Sequence, residues 1–470
     1  MGCQAIGVKN TNSNILLAYE GLINENYFKL QSKESELITS VEYLTGIGLN
    51  PYNKKQEYFI GLLLKSKFDG MKEEEIIKNT GETDFSITLD ISGSMSGNKI
   101  ELAKEALIKM IDNLKEGNQI SILTFNTESQ LIIPLSPKSE ILMLKEKIKS
   151  IKADGGTDLY NALDGAYEAL KNSKKKFKRI IIITDGWYDD QKFMELAEKI
   201  TNENIGISVV AIESYSNAQL FEKLCKLKGC NYFVALKNED LKKYLVDQFG
   251  YLTFEVSNNI KLNFESDECE IIKAIGTNSD NKDVNNLCNI ISSFPSDLKL
   301  KGKDVYQEGG LILLKIKPKN NNNIGDKIKL NIKLEYTGYD DKNYIQNYPI
   351  EFIINEGEFY SNDYIKKGIA LYYYGKIRRK IFKFLNSNIK FNTGGPFVEE
   401  VDKDKYERYL KFLRRDNENI DKIKKYFNQN YFNDIVKEQK ENYLKTLEDQ
   451  YEMFLRNKEI ISQKVVEKKE

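Results

Sequence analysis

Residues 85–100 read F-S-I-T-L-D-I-S-G-S-M-S-G-N-K-I, an apolar run followed at once by a loop rich in Ser and Gly. The run at 85–90 is typical of a buried strand. The loop that follows carries one carboxylate and two hydroxyls, at Asp90, Ser92 and Ser94. Ligands of an open parallel sheet bind beyond the carboxyl ends of its strands. The stretch therefore predicts an α/β sheet with a polar site at its edge.

Strand-like and helix-like segments alternate from about residue 84 to about residue 252. Further strand runs lie at 119–125, 130–135, 179–185, 207–212 and 232–236, and amphipathic helical stripes lie between them. The alternation predicts a doubly wound α/β domain over residues 81–252. The short link between the second and third runs predicts a hairpin, and hence one antiparallel strand at an edge of the sheet.

The rest of the chain divides into three parts. Residues 253–357 alternate apolar and polar side chains with a period of two, which predicts an antiparallel β-sandwich. Residues 1–80 contain strand-like pieces at 15–19 and 58–65. We expect these pieces to complete the same sandwich, so that the α/β domain is an insertion in it. Helical periodicity predicts an α-helical C-terminal region over 358–470.

Composition restricts the chemistry that the chain can support. The 470 residues include 70 Lys and Arg against 70 Asp and Glu. This balance gives no net field that favours nucleic acid, and we expect no nucleic-acid partner. The chain has no histidine, which excludes Ser-His-Asp and Cys-His catalysis and histidine-bound zinc, copper or iron. A bound metal would therefore need oxygen ligands, which favours Mg²⁺, Mn²⁺ or Ca²⁺.

The N-terminal residues bear on where the protein acts. The start of the chain has no basic segment followed by an apolar one, and no stretch is apolar enough to span a bilayer, so we expect a cytoplasmic protein. Gly2 and Cys3 resemble a dual acylation site, although Ile6 stands where the myristoylation pattern has Ser or Thr. Acylation there would place the protein at the inner face of a membrane, and we expect membrane contact only in that case.

Two other loops also carry side chains with oxygen atoms that could bind a metal. One precedes a predicted helix and the other follows a predicted strand. They are G-G-T-D (155–158), before a helix that starts near Leu159, and T-D-G (184–186), at the end of a strand. Pooled, the three loops offer two carboxylates and three hydroxyls, those of Asp90, Asp185, Ser92, Ser94 and Thr157. This set suits a six-coordinate hard cation that keeps waters and has room for one outside ligand.

Several enzymatic interpretations of the first loop lack residues that they need. A phosphate-binding P-loop requires Ser or Thr after Lys99, and Ile100 stands there. An aspartyl-phosphate enzyme would be expected to have a second Asp where Ser92 stands, and a nucleophile elbow would need a histidine. A phosphotransferase based on Asp90 stays the enzymatic alternative, although the acid-base partners of such chemistry are missing.

The three loops together resemble the metal-ion-dependent adhesion site of von Willebrand factor A domains. D-I-S-G-S-M-S-G-N-K-I, G-G-T-D and T-D-G occur in the order of that family, and the resemblance covers about residues 84–250. It implies that the three hydroxyls, of Ser92, Ser94 and Thr157, contact Mg²⁺ directly or through water. It also implies that Asp90 and Asp185 orient ligands or waters, and that a protein partner supplies an acidic residue to the open position.

We therefore expect a non-enzymatic, divalent-cation-dependent protein-binding module. The alternative is an intracellular scaffold in which the metal mainly rigidifies the loops. Trp187 and Tyr188 follow T-D-G directly, and we expect these two aromatic side chains on the rim of the site, where they would anchor a partner. The sequence indicates no oligomeric state.

Overall fold

The computed structural model describes residues 8–11, 14–17, 23, 26–31, 36–72, 75–76, 78, 81–142, 145–186, 191–212, 220, 223–235, 238–276, 286–319, 325–388, 418–419 and 421–427. No helix within these ranges combines the length and the apolar character needed to cross a membrane.

The strands of these residues are, in chain order, β1 (Val8–Thr11), β2 (Asn14–Leu17), β3 (Tyr27–Lys29), β4 (Thr39–Leu49), β5 (Gln56–Ser66), β6 (Thr83–Asp90), β7 (Gln119–Phe125), β8 (Ser129–Pro137), β9 (Phe177–Thr184), β10 (Ile205–Ile212), β11 (Cys230–Ala235), β12 (Ser257–Glu265), β13 (Cys269–Ile275), β14 (Asn286–Ser293), β15 (Leu298–Lys301), β16 (Asp304–Glu308), β17 (Leu311–Pro318), β18 (Lys327–Gly338), β19 (Asn343–Ile353) and β20 (Phe359–Tyr360).

The α-helices are α1 (Asn98–Asn113), α2 (Lys138–Leu142), α3 (Lys145–Lys149), α4 (Leu159–Leu170), α5 (Gln191–Asn202), α6 (Asn238–Lys242), α7 (Phe249–Thr253) and α8 (Asp363–Asn388). A 3₁₀ turn at Gly93–Met95 and a π-helical turn at Lys243–Asp247 complete the helical elements with assigned bounds.

A six-stranded sheet forms the centre of the α/β domain. Its strand order is β11-β10-β9-β6-β7-β8. Its strands pair in parallel, except that β8 runs antiparallel to β7 at one edge. The α/β prediction and the predicted antiparallel edge strand are therefore confirmed.

Helices cover both faces of this sheet. On one face, α1 packs through side chains such as Leu107 and Ile111, which share a core with Ile181 of β9. On the other face, α4 and α5 bury Leu163 and Phe193 in a second core. Because both faces of β9 and β10 are covered, these strands consist of nearly continuous apolar residues. The covered faces leave the strand ends as the places where polar side chains can face solvent.

The predicted helix near the end of the α/β domain is interrupted. The sequence stripe of Leu241, Leu245 and Phe249 predicts one helix, whereas the structure has α6, a π-helical turn and α7. Gln248 N–H donates to Lys243 O at 2.8 Å, an i→i+5 hydrogen bond. The wider turn lets these three apolar side chains remain buried together, which a uniform 3.6-residue period does not anticipate.

Two further sheets share one hydrophobic core, and we call them together the two-sheet unit. One has the order β13-β17-β5-β4-β20 and the other β14-β12-β18-β19. Leu62 of β5, Leu262 of β12 and Leu314 of β17 are buried in the common core. β5 precedes the α/β domain in the sequence and pairs antiparallel with β17, which follows it. The chain therefore leaves the two-sheet unit after β5 and returns to it at β12.

The expected sandwich piece at 15–19 is described only over residues 15–17, which belong to β2 and do not join the two-sheet unit. Among the described residues, β2 pairs only with β1, in a separate two-stranded sheet. Thr11 lies opposite Asn14 in this hairpin, so the link between the two strands is very short. Closing a short link costs less chain entropy than pairing with a strand far along the sequence. β4 joins the five-stranded sheet instead, although Gly46 and Gly48 weaken its signal as a strand.

The long helix α8 packs against the five-stranded sheet. Ile365 and Ile369 of α8 share a core with Phe59 of β5 and Leu311 of β17. Glycines make the close approach possible. A Cβ on Gly46 would lie 2.9 Å from Ile365 Cγ1, and a Cβ on Gly61 would lie 2.8 Å from Ile365 Cδ1. Both distances are shorter than van der Waals contact, so a side chain at either position would require Ile365 to shift.

Candidate metal centre

The sequence-predicted oxygen ligands meet at the carboxyl ends of β6 and β9. Asp90 is the last residue of β6, and Asp185 directly follows Thr184, the last residue of β9. β6 and β9 are neighbours in parallel register, in which Leu89 lies opposite Ile183. Neighbouring parallel strands end at the same edge of a sheet, so the two carboxylates come together there.

Asp90 forms the buried floor of the site. Its side chain is 0 % exposed. Oδ1 accepts the backbone N–H of Ser92 at 2.8 Å, and Oδ2 accepts the hydroxyl of Thr184 at 2.5 Å. Burial, with a smaller contribution from the charge of Asp185, raises the pKa of Asp90 above its usual range. A carboxylate in this position would gain strongly from a neighbouring cation.

The hydroxyls of Ser92 and Ser94 join the two carboxylates. Ser92 Oγ lies 3.0 Å from Ser94 Oγ, and the Ser94 hydroxyl donates to Asp185 Oδ1 at 2.7 Å. Ser94 Oγ thus contacts both the Ser92 hydroxyl and the Asp185 carboxylate. Ser92 is buried, whereas Ser94 is exposed at the mouth of the site.

Lys99 is a member of the site that the sequence did not reveal. Its Nζ lies 2.7 Å from Asp185 Oδ2, and the lysine side chain is 28 % exposed. In the sequence, Lys99 is noticeable only as the lysine of an incomplete P-loop motif. A signal was present, since Lys99 lies in the first turn of α1, directly after the site loop. The structure thus places an ammonium group on a carboxylate that is a candidate metal ligand.

Thr157 approaches the same edge from the loop before α4. The ideal Cβ position of Gly186 lies 2.4 Å from Thr157 Cγ2 and 3.2 Å from Asp90 Oδ2. Thr157 therefore lies against T-D-G, and only a residue without a side chain fits at 186. The next residue, Asp158, caps α4 by accepting the N–H of Asn161 at 3.1 Å, so the helix begins at Leu159 as predicted.

Backbone hydrogen bonds hold the site loops together. Gly93 N–H donates to Gly155 O at 2.9 Å, and Asp154 N–H donates to Ile91 O at 2.6 Å. The N–H of Asp158 donates to the carbonyl of Asn126 at 2.7 Å. Backbone hydrogen bonds therefore connect the loop after β6 with the loop before α4.

The donor set fits a hard divalent cation. It combines two carboxylates and three hydroxyls, which are the ligand types of Mg²⁺, Mn²⁺ and Ca²⁺. In the part of the chain that the structure describes, no group of three or more His, Cys, Asp or Glu side chains is arranged so that it could hold a metal ion. A cation at this edge would therefore depend on hydroxyl and water oxygens for much of its coordination shell.

Four sequence-predicted residues lie outside the described ranges. They are the rim aromatics Trp187 and Tyr188 and the candidate acylation residues Gly2 and Cys3.

Thr184 is a further residue of the site that the sequence prediction does not include. Its hydroxyl donates to Asp90 and accepts the N–H of Gly186 at 2.8 Å. The motif T-D-G already contains this threonine, but its role depends on a side-chain orientation that spacing alone does not give.

Comparison with known proteins identifies the α/β domain. Residues 84–248 match the model of the von Willebrand factor type A domain. This part of the chain is therefore a von Willebrand factor A domain, in agreement with the sheet order and helix arrangement described above.

Individual relatives match a part of the chain at low identity. An uncharacterized protein of Synechocystis sp. is 25% identical over 142 residues, which are 29% of this chain and 34% of the relative. The human inter-alpha-trypsin inhibitor heavy chain H4 is 33% identical over 109 residues, 21% of this chain and 12% of the relative. The human voltage-dependent calcium channel subunit alpha-2/delta-2 is 26% identical over 162 residues, 31% of this chain and 14% of the relative. The chain thus spans about a third of its relatives' length or less.

Among solved structures, a von Willebrand factor type A protein from Catenulispora acidiphila is similar at 13% identity, with a TM-score of 0.46. The match covers 84% of this chain and 91% of that protein.

Proposed function

We propose that the chain is a non-enzymatic protein-binding module that uses a divalent cation, Mg²⁺ in the first place, to capture an acidic side chain of a partner. The observation that carries the proposal is the convergence of Asp90, Ser92, Ser94, Thr157 and Asp185 at one edge of the sheet. These residues would hold the ion, and the ion would supply an electrophilic position for a carboxylate from outside.

The electrostatics of the site support binding of a carboxylate. Two carboxylates balance the charge of a divalent ion, while the hydroxyl ligands add none. An ion held in this way has few strong ligands, so a third carboxylate would gain by replacing a water. The exposed position of Ser94 leaves the site accessible from solvent, as a protein partner requires.

The relatives support a role in protein assembly. Two of them are described as a heavy chain and as a channel subunit, and both names denote components of larger complexes. The chemistry of the site also favours binding over catalysis, because the chain contains no histidine to act as a general acid or base.

Affinity capture from source cells tests the proposal. Wild-type protein should capture a partner in Mg²⁺ and release it in EDTA, whereas Asp90→Ala should capture nothing in either buffer. Ser94→Ala and Ser96→Ala form a matched pair, since both residues are exposed in the same loop and only Ser94 bonds to Asp185. Ser94→Ala should lose capture and Ser96→Ala should keep it. Capture that survives both EDTA and Asp90→Ala would refute the proposal.

The second candidate is a scaffold in which the metal only rigidifies the loops. The backbone hydrogen bonds between Gly93 and Gly155 and between Asp154 and Ile91 argue against it, because they already connect the loops. The scaffold predicts that Asp90→Ala lowers the thermal unfolding temperature while partner capture persists. Our proposal predicts loss of capture by a protein that remains folded, as checked by circular dichroism.

A further inference from the structure

A second polar site lies at the opposite end of the α/β sheet, where the sheet meets the two-sheet unit. A cavity of about 210 Å³ opens there, lined by Arg179 of β9, Gly206 of β10 and Gly229 from the A domain, and by Glu255 and Tyr339 from the two-sheet side. One ordered water needs roughly 10–15 Å³ of such volume. The cavity is therefore large enough for a small polyatomic ligand, and it does not involve the candidate metal centre.

Arg179 is the principal charged group of this cavity. It is only 4 % exposed. Its Nη1 donates to Ser208 Oγ and to Gly229 O, both at 2.9 Å. Within the described residues, its Nη2 and Nε donate to no acceptor. Burial lowers the pKa of Arg179 to about 10, so the guanidinium stays charged at neutral pH. A buried arginine thus lines the cavity with three of its five N–H donors unused by acceptors among the described residues.

The backbone around Arg179 is adapted to hold the guanidinium in place. A Cβ on Gly206 would lie 2.5 Å from Arg179 Nη2 and 2.7 Å from its Cζ. Glycine at 206 therefore allows the guanidinium to lie directly against the backbone. The guanidinium carbon also lies 5.2 Å from the ring centroid of Phe294, which follows β14 of the two-sheet unit. The orientation of Arg179 is fixed by contacts from both sides of the junction.

The other charged groups of the cavity leave an excess of positive charge. Two carboxylates line the cavity, those of Glu255 and Asp341. Four cationic side chains also line it, namely Lys176, Lys178, Arg179 and Lys228. Lys176 is paired with Asp341 at 2.9 Å. Within the described residues, Lys178 has neither an ion pair nor a hydrogen bond, although it is half-buried. The carboxylate of Glu255 accepts Ser292 Oγ–H and Gly229 N–H, and no direct salt bridge joins it to Arg179 within the described residues.

We infer that this cavity binds a small oxyanion with two negative charges, such as phosphate or the phosphate group of a small ester. Planar guanidinium donors match the oxygens of such a group. The lining carries an excess of two positive charges, which favours a dianion over a monocarboxylate. The bound anion would accept the unused donors of Arg179 and connect the A domain with the two-sheet unit.

Isothermal titration of the full chain with inorganic phosphate in metal-free, EDTA-containing buffer tests this inference. EDTA removes any phosphate binding through a metal ion, so failure of this proposal and failure of the metal-site proposal are distinguishable. We expect one phosphate per chain, and binding at least about tenfold weaker in Arg179→Gln, because the charge-assisted hydrogen bonds of the guanidinium to the anion are lost. Acetate at the same ionic strength should bind more weakly than phosphate.

Lys178→Met provides the decisive variant if Arg179→Gln does not fold. Its matched control is Lys174→Met, which removes the same charge from an exposed position outside the cavity. Phosphate affinity should fall severalfold in Lys178→Met and stay unchanged in Lys174→Met. Absence of phosphate binding by the wild type at tens of millimolar, equal losses in the two lysine variants, or equal affinity for acetate would each overturn the inference.

Discussion

At the residue scale, the Lys99 ammonium lies beside the Asp185 carboxylate, which is also a candidate ligand of the metal ion. It lies 2.7 Å from Asp185 Oδ2. A divalent ion near that carboxylate would be repelled by the lysine, or would have to displace it. The lysine thereby neutralises one carboxylate when no ion is bound and lowers the affinity for the ion when one is present.

We expect Lys99→Met to bind Mg²⁺ more tightly than the wild type. At a separation of about 5 Å in a solvent-like dielectric, removing one positive charge next to a divalent ion is worth roughly 1–2 kcal/mol, or about fivefold to thirtyfold in affinity. Mg²⁺ titration calorimetry measures the change. Lys109→Met, on the exposed side of the same helix, should leave the affinity within about twofold. Equal or weaker Mg²⁺ binding in Lys99→Met would show that the lysine does not compete with the ion.

The five candidate ligands could be predicted from the sequence because each follows a strand or opens a helix at a characteristic motif. The hydrogen bonds among them could not. Whether Lys99 reaches Asp185, and whether the Thr184 hydroxyl points at Asp90, depends on side-chain rotamers that tertiary packing selects.

At the scale of single elements, glycines determine how closely neighbouring segments approach. Gly186 lies where a Cβ would be 2.4 Å from Thr157 Cγ2, whereas a Cβ on Gly93 would have its nearest contact at 3.5 Å, with Gly155 O. The two glycines belong to different loops of the same candidate centre, yet only one of them is sterically required.

Gly186→Ala should therefore weaken Mg²⁺ binding by at least about tenfold, since it pushes Thr157, an expected ligand, away from Asp90. Even residues that only orient a metal ligand cost roughly 10–100-fold in metal affinity when they are lost. Gly93→Ala should retain the affinity within a few-fold. Calorimetric titration of both variants checks the difference. Similar affinities in the two variants would mean that Thr157 does not contribute to the metal site.

A second glycine pair tests the packing of α8 on the five-stranded sheet. Gly46 and Gly48 lie on the same face of β4, because side chains alternate along a strand. A Cβ on Gly46 would be 2.9 Å from Ile365 Cγ1, and one on Gly48 would be at 3.6 Å or more from its neighbours. Gly46→Ala should lower the free energy of unfolding by about 1–3 kcal/mol through overpacking. Gly48→Ala should change it by less than about 1 kcal/mol. Chemical denaturation followed by circular dichroism measures both, and equal effects would contradict the packing of α8.

Element boundaries were accessible from the sequence to different degrees. The apolar strands of the A domain were predicted to within two residues, since buried parallel strands have a strong signal. β4 was not predicted, because its glycines reduce strand propensity and are explained only by the helix that packs on them. The sequence pattern also does not predict the π-helical turn before α7. The extra residue of that turn shifts the apolar positions away from a uniform 3.6-residue period.

At the scale of the whole molecule, the two-sheet unit is assembled from segments on both sides of the A domain. Leu62 of β5 is fully buried in a core that it shares with β12, β17 and β18. β5 lies before the A domain in the sequence and the other three strands lie after it. The stability of residues after the A domain therefore depends on a segment that precedes it.

We expect Leu62→Ala to destabilise the two-sheet unit by about 2–5 kcal/mol, the usual cost of such a core cavity. Hydrogen exchange should accelerate in β12, β17 and β18 as well as in β5, while β9 and β10 change less. Exchange that increases in β5 alone would contradict the shared core. The matched control is Leu300→Ala, at a 68 % exposed leucine, for which we expect no change in these strands.

The sequence predicted the change from helix-strand alternation to a period of two, and hence the existence of a second β-rich part. It did not identify every partner strand. The piece at 58–65 lies in β5 and joins this part as expected, but its pairing with β17, about 250 positions further along the chain, cannot be read from the period of either strand. A partner strand that the sequence did not identify is β4. The piece at 15–19 has a similar apolar pattern, yet its described residues, 15–17 in β2, pair locally with β1.

The most direct measurement is Mg²⁺ titration calorimetry of the full chain, with wild type, Asp90→Ala, Ser94→Ala and Ser96→Ala compared. We expect one Mg²⁺ per chain for the wild type and for Ser96→Ala, no measurable binding for Asp90→Ala, and binding at least about tenfold weaker for Ser94→Ala. Circular dichroism should show that all four proteins are folded. A wild type that binds no Mg²⁺, Mn²⁺ or Ca²⁺, or an Asp90→Ala variant that binds Mg²⁺ as the wild type does, would contradict a metal centre at this edge of the sheet.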